Sequence, residues 1–432
     1  MIDRAFYFGL IGLMISSNIS VADTPLDGEA LYRDVEHFAG LGEHRTGSQQ
    51  DIDTSQWLAD SLTDAGFAVQ QQPFALQQFF PEQQQLTIGK QHIAVFPHWF
   101  PQPTRGKLSA TIVPMSDDDL NGHIAYLSPQ QAGQWYRLQP AELAKAAAEK
   151  GALALIISPD HPSGEIYATN ANAESRQTPT AIPTVITALA DATTIEQAIA
   201  AKTTVELIST GSRRATTAYN VIGRYPATPI ADAPWAVIST PTSGWFQTAG
   251  ERGSGVALWL GMARYASQQP QHINWLFIAN SGHELDFMGT EHSLALAPPA
   301  EQVSLWLHLG ASIGARQWQQ DGDQLTPLNT VHQYNHLYAD SAVMALTQQS
   351  FADVPDLDIL PASQLNRGHS ELGSIINLGY KASGFVGSHR FFHSPGDTPK
   401  VTSTELLAPY GHAAEKLIQQ LNQSPLLPST TK

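Results

Sequence analysis

At 432 residues the chain is long enough for more than one domain, and its 42% hydrophobic content is that of an ordinary globular protein. A formal charge of −16 and a pI near 5.3 exclude nucleic acid and anionic membrane as expected partners, because a polyanion would be repelled at long range. The absence of cysteine excludes a disulfide framework and thiol catalysis, and restricts any zinc ligands to His, Asp and Glu.

The chain begins with Arg4 and the apolar stretch AFYFGLIGLMISSNISVA, Ala5 to Ala22, with Ser20 and Ala22 at the −3 and −1 positions of a cleavage site. This predicts a secretory leader, residues 1–22, cleaved after Ala22, and hence a periplasmic or secreted protein with no membrane attachment once the leader is removed. Ser16, Ser17 and Asn18 interrupt the apolar run, which is too short to span a bilayer.

Residues 23–100 open with a helical pattern, ALYRDVEHFAGL, then a turn, GEHRTGSQQ, then a second helix, DTSQWLADSLTDAG, leading into a strand, FAVQQQPFAL. The Gln/Pro-rich QQFFPEQQQ that follows is expected to be a connection. Residues 101–213 form a separate expected unit, with strand GHIAYLS, helix PAELAKAAAEK, buried strand ALALIIS and extended AIPTVIT. From 214 to 432 strands and helices alternate: NVIGRYP, WAVISTP, the helix GSGVALWLGMARYASQ, INWLFIAN, VSLWLHLGA, YKASGFVG and a final helix, TSTELLAPYGHAAEKLIQQL. This order predicts an α/β fold, a mainly parallel sheet with helices on both faces, with the smaller α/β unit inserted.

The stretch NSGHELDFMGTEHS, Asn280 to Ser293, begins like the helical zinc signature but carries Phe287 where its second His belongs, and His292 lies nine residues beyond His283. On a helix of 3.6 residues per turn those two His point half a turn apart, so they cannot share one ion. His283 and Glu284 instead follow a short run of β-formers, His272 to Asn280. They are therefore expected at the C-terminal end of a strand, where open α/β sheets gather ligands.

The order of these signals resembles the secreted zinc aminopeptidases, a family related to glutamate carboxypeptidase and glutaminyl cyclase, with an inserted protease-associated domain carried by AKAAAEKGALALIIS and AIPTVIT. HRTGS is similar to the R-x-x-G-S element of that family. Its H-x-D element is replaced by TPTSGW, so the first His ligand and its Asp neighbour are absent. G-A-x-D-N-x-S-G corresponds to TAGERGSG, with Glu251 at the bridging Asp and Arg252 at the Asn. E-E-x-G-L-x-G-S corresponds to HELDFMGT, with Glu284 at the ligand Glu and His283 at the general-base Glu. N-x-D corresponds to HLG, with His308 at the Asn and Gly310 at the ligand Asp. Y-H-T-x-x-D-T corresponds to FHSPGDT, keeping His393 and, behind it, Asp397.

The resemblance implies that both ligands unique to one of the family's two metals are lost, while Glu251, Glu284 and His393 remain for about one zinc ion per chain, the three-ligand form of a catalytic site. It implies an exported hydrolase of peptide-like or other small amide substrates, with His283 as general base or further ligand and Arg252 stabilising an oxyanion or a substrate carboxylate. Arg252 can equally form a structural salt bridge with Glu251. Ser243, Trp245, His308, His369, Glu371, His389 and Asp397 are pocket candidates, each also readable as a hydrogen-bonded structural residue. Ser243 lacks the G-x-S-x-G elbow of a nucleophile. The competing functions are a catalytically silent periplasmic binding protein on a peptidase scaffold, favoured by the lost ligands and replaced base, and a metal-independent hydrolase.

Overall fold

The computed structural model describes residues 24–172, 176–366 and 370–423. The expected leader and the pocket candidate His369 lie outside the described residues.

The fold is α/β, and the central parallel strands are those with the strongest apolar runs. Trp235–Pro241, Asn274–Asn280, Val303–Leu309 and Ala382–Gly387 lie side by side in parallel, in the order 274–280, 235–241, 303–309, 382–387. The first three are almost wholly buried, as near-continuous Val/Ile/Leu/Trp sequences are when both faces of a parallel sheet are covered. Asn335–Ala339 continues the sheet antiparallel to 382–387, and Asp358–Pro361 ends it.

One face is covered by four helices. Gly28–Gly40 begins where the Asp27 carboxylate accepts the Ala30 N–H at 2.7 Å, and Ser48 caps Gln49–Asp64 in the same way. The helix Ser254–Ser267 is buried on almost every side, which explains why its sequence is apolar all round rather than striped. It packs against 28–40 and the terminal helix Thr404–Gln423. Trp259, Phe277, Leu305 and Tyr410 fill the space between.

Between Phe96 and Ile186 a smaller sheet is built from Leu108–Pro114, Ile124–Leu127, Ala154–Ile157 and Thr184–Ile186, all parallel, with Phe96–Pro97 at its edge. Two apolar clusters of its own, one around Ile124 and Ile156 and one around Ala144 and Leu155, line its two faces.

QQFFPEQQQ is not the connection expected. It lies inside a single strand, Ala68–Ile88, paired antiparallel with Thr204–Tyr225 along nearly its whole length. The register shifts between Pro81 and Gln84, and this bulge accommodates a proline that a regular central ladder would reject. The two strands form a ribbon that joins the core sheet at one end, through 274–280, to the smaller sheet at the other, through 108–114.

Candidate functional site

The candidate residues converge at the C-terminal ends of the parallel strands. His283 and Glu284 follow strand 274–280, Ser243 and Trp245 follow 235–241, His308 ends 303–309, and His389 and His393 follow 382–387. The strain concentrates here too. Of the ten non-glycine residues with positive φ among the described residues, Phe246, Thr248, Asp286, Phe287, Ser312 and His393 lie on these loops, the pattern of backbone held in place for function.

Glu251 and Arg252 sit on a single π-helical turn, Ala249–Gly253, entered through Thr248 in the left-handed region. Such turns favour functional positions. Asp397 fixes the turn by accepting the N–H groups of Gly250 (2.6 Å) and Glu251 (3.1 Å), with His389 Nε2 at 3.4 Å from its other side. Asp397 thus supports the turn, while His389 both contacts Asp397 and lines a neighbouring cavity.

Arg252 and Glu251 form an ion pair of 2.5 Å with both side chains essentially inaccessible. The guanidinium also donates to the carbonyls of Ser243 (3.2 Å) and Gly310 (2.8 Å). His393 Nε2 lies 3.1 Å from the same Glu251 oxygen, and Thr248 Oγ1 donates to the other. Burial works to raise the Glu251 pKa, but the Arg252 and His393 charges hold it well below the ordinary carboxylate range.

Glu284 faces elsewhere. Its Oε1 accepts both the N–H and the hydroxyl of Thr46 at 2.6 Å, and its Oε2 accepts the Ser243 hydroxyl at 2.6 Å. Ser243 Oγ in turn accepts the N–H groups of Gly282 and His283. Ser243 is therefore a strap between loops, with a carboxylate and not an imidazole as its partner, and does not have the surroundings of a nucleophile. Thr46 belongs to the HRTGS turn, so that element serves to hold Glu284.

A second cluster is centred on Glu371. Its Oε2 lies 3.4 Å from His283 Nδ1 and 3.2 Å from His308 Nε2, and its Oε1 accepts the Thr290 hydroxyl at 2.7 Å. His308 Nδ1 meets Ser239 Oγ at 2.9 Å. Burial opposes ionisation of Glu371, yet His283 and His308 hold its pKa well down. Burial and the Arg252 charge lower the His283 pKa, with Glu371 pulling the other way. Of the three, only His283 keeps appreciable exposure, 17% of its side chain. Trp245 is core: its indole packs with Phe96 and Trp99, and its N–H donates to Asn170 Oδ1.

A contact that sequence patterning does not signal comes from the smaller unit, whose segment 167–171 lies over the site. Ala168 exchanges hydrogen bonds with His393: its N–H donates to the His393 carbonyl (3.0 Å) and its carbonyl accepts from His393 Nδ1 (2.9 Å). The Tyr167 ring stacks on the His393 ring, 5.8 Å between centroids and 12° from parallel. Ala171 N–H donates to the Glu284 carbonyl at 2.8 Å.

The expected ligand set for zinc is not assembled. Glu251 and His393 meet, but Arg252 already supplies the positive charge at Glu251, and both Glu284 oxygens are taken by hydroxyl and amide donors. Among the described residues no group of three or more His, Asp or Glu side chains is placed to hold a metal ion. Gly310, at the place of a lost ligand Asp, is also closed to a side chain, since a Cβ there would stand 2.3 Å from the Phe385 carbonyl oxygen.

No protein-family model matches the chain, and no curated protein does. Solved structures do. A zinc aminopeptidase from Bacillus subtilis superposes with a TM-score of 0.71 at 18% identity, covering 92% of this chain and 95% of the other. The chain has the aminopeptidase fold. A peptidase M28 precursor from Shewanella amazonensis gives 0.68 at 19% identity over 92% and 96%. An aminopeptidase from Aneurinibacillus sp. strain AM-1 gives 0.63 at 18% over 94% and 97%. The aminopeptidase fold thus extends over both the core and the smaller unit, while identities this low speak to the fold alone.

Proposed function

We propose that the chain is an exported ligand-binding protein built on the aminopeptidase fold, taking a peptide-like ligand without zinc chemistry. The observation that carries this reading is Arg252: its guanidinium is the fixed cation beside Glu251 in a site where the resemblance implied zinc. A permanent, chain-borne charge neutralises Glu251 without an ion, and Glu284 is committed to Thr46 and Ser243. Support for a peptide-like ligand comes from the solved neighbours' being aminopeptidases and from the strand-end position of the loops. Support for export comes from the leader pattern of residues 5–22 and from the M28 precursor among the neighbours. Among the described residues no helix is long and apolar enough to cross a membrane.

The test is zinc analysis of protein loaded with zinc and passed through gel filtration, with aminoacyl-p-nitroanilide hydrolysis measured with and without chelator, and melting measured against di- and tripeptides. The expected result is no stoichiometric zinc, no chelator-sensitive hydrolysis and a peptide-dependent rise in melting temperature. One retained zinc per chain together with chelator-sensitive hydrolysis overturns the reading.

A second reading, metal-independent hydrolysis, is favoured by one arrangement: His283 is backed by the buried Glu371 carboxylate, as a positioned general base is. It requires chelator-resistant hydrolysis that disappears in His283→Ala.

A further inference from the structure

Beside the Glu251–Arg252 turn, on the far side of His389, a cavity of about 710 Å³ opens between the smaller unit and the core, within the ~300–1,000 Å³ range of small-molecule sites. Its walls come from four places distant in sequence: the turn at Trp135 and Tyr136, Pro162, the hairpin residues Gln317 and Trp318 with the connection after it, and the loop at His389 and Arg390. Trp135, Tyr136, Trp318 and Tyr334 put four aromatic side chains around one space. Tyr136 and Tyr334 are 57% and 56% exposed, two of only four large apolar side chains left exposed among the described residues. Trp318 and Trp135 are held by edge contacts, with Phe391 at 5.2 Å and with Tyr136 at 5.5 Å, so the rings are positioned before any ligand arrives.

Beside the rings lie polar atoms with nothing to bond. Gln317 Oε1, Trp318 Nε1 and Arg390 Nε lie behind the cavity wall, buried and without a hydrogen-bond partner, while Arg390 Nη2 donates to Gln320 Oε1 at 2.7 Å. The lining includes the amides of Gln134 and Gln333 but no Asp, Glu or Lys, and Arg390 is its only fixed charge, on a chain whose net charge is −16.

We propose that this cavity is a saccharide-binding site, with preference for a sugar that carries a carboxylate. A pyranose ring has an apolar C–H face that stacks on an indole or phenol, and a hydroxyl rim that both donates and accepts, which answers the amides of Gln134 and Gln333 in the lining. Arg390 adds a planar donor for a uronate carboxylate. An extended peptide fits less well, because strands 335–339 and 382–387 beside the cavity are hydrogen-bonded to one another and offer no free edge for strand addition. The cavity adjoins the Arg252 site through His389, which lines it and contacts Asp397.

The experiment is isothermal titration of the full mature chain with oligogalacturonate, with neutral chito-oligosaccharide and with a mixed tripeptide pool, followed by the same titrations of Trp318→Ala, Trp135→Ala and Arg390→Gln, each checked by circular dichroism. The expected result is saccharide binding, tighter for oligogalacturonate, weakened at least about tenfold by either Trp variant. Arg390→Gln should weaken oligogalacturonate alone. No heat with either saccharide at millimolar concentration, equal affinity in folded Trp variants, or binding of the tripeptide pool only, each overturns the proposal. Should one Trp variant misfold, the other and Arg390→Gln still decide it.

Discussion

Arg252 and Glu251, neighbours in the chain, turn their side chains toward each other on one π-helical turn and form a 2.5 Å ion pair sealed from solvent. A buried pair of this kind contributes little net stability when intact but is costly to break on one side. Arg252→Met should therefore destabilise the fold by about 3–5 kcal/mol, because Glu251 is left charged and buried. The double variant Glu251→Gln/Arg252→Met should recover much of that loss. Urea denaturation of the three variants measures the cycle, and an additive double variant would show that the pair is not coupled.

Asp51 supplies a pH dependence. Burial pushes its pKa up to about 8 from 3.8, with the Glu284 charge adding to the rise and bonds from the Gly47 N–H and the Ser281 hydroxyl opposing it. The folded chain thus holds a proton that the unfolded chain releases above its ordinary value. This contribution is full below about pH 4 and is lost as pH rises through about 8. Asp51→Asn mimics the protonated form, so its melting temperature should fall less than that of the wild type between pH 5 and 8. Parallel slopes in calorimetry would refute the assignment.

Tyr167 shields His393. Its ring is stacked on the imidazole and is itself 5% exposed, and burial raises its phenol pKa. Tyr167→Ala should make His393 react markedly faster with diethyl pyrocarbonate, read by peptide mass mapping, at a stability cost of about 3 kcal/mol. Unchanged reactivity would mean that other groups close the site.

Gly310 is required by space. A single methyl would stand 2.3 Å from the Phe385 carbonyl, so Gly310→Ala should cost about 1–3 kcal/mol by overpacking. The larger Gly310→Asp, which would restore an acidic ligand position, should fare worse and gain no zinc. Thermal melts with and without zinc test both.

The parallel strands were legible because their apolar runs are long and bounded by Gly, Pro or Asn, as at Asn274–Asn280 and Trp235–Pro241. The hairpin of Arg316–Asp321 and Gln324–Val331 was not, since its residues are largely exposed and polar and its pairing comes from the turn at Gly322. At the site, sequence order located Glu251, Glu284, His283 and His393 on neighbouring loops. It did not reveal where Glu284 points, which depends on Thr46, 238 positions away. Nor could it show that residues 167–171 of the smaller unit lie over His393, because that contact depends on the placement of one unit against the other.

The ribbon of Ala68–Ile88 and Thr204–Tyr225 has a mechanical consequence. Two domains joined by single-chain linkers can swing apart, but here the junction is a continuous hydrogen-bonded ladder that belongs to both sheets. The smaller unit is mounted on a stiff beam whose ladder is interrupted between Pro81 and Gln84, where a rocking would break the fewest hydrogen bonds. Tyr167 and Ala168 sit on the unit that such a beam carries. A small tilt at that fulcrum would shear their contacts with His393 together, so access to the site and the inclination of the smaller unit would be one coordinate.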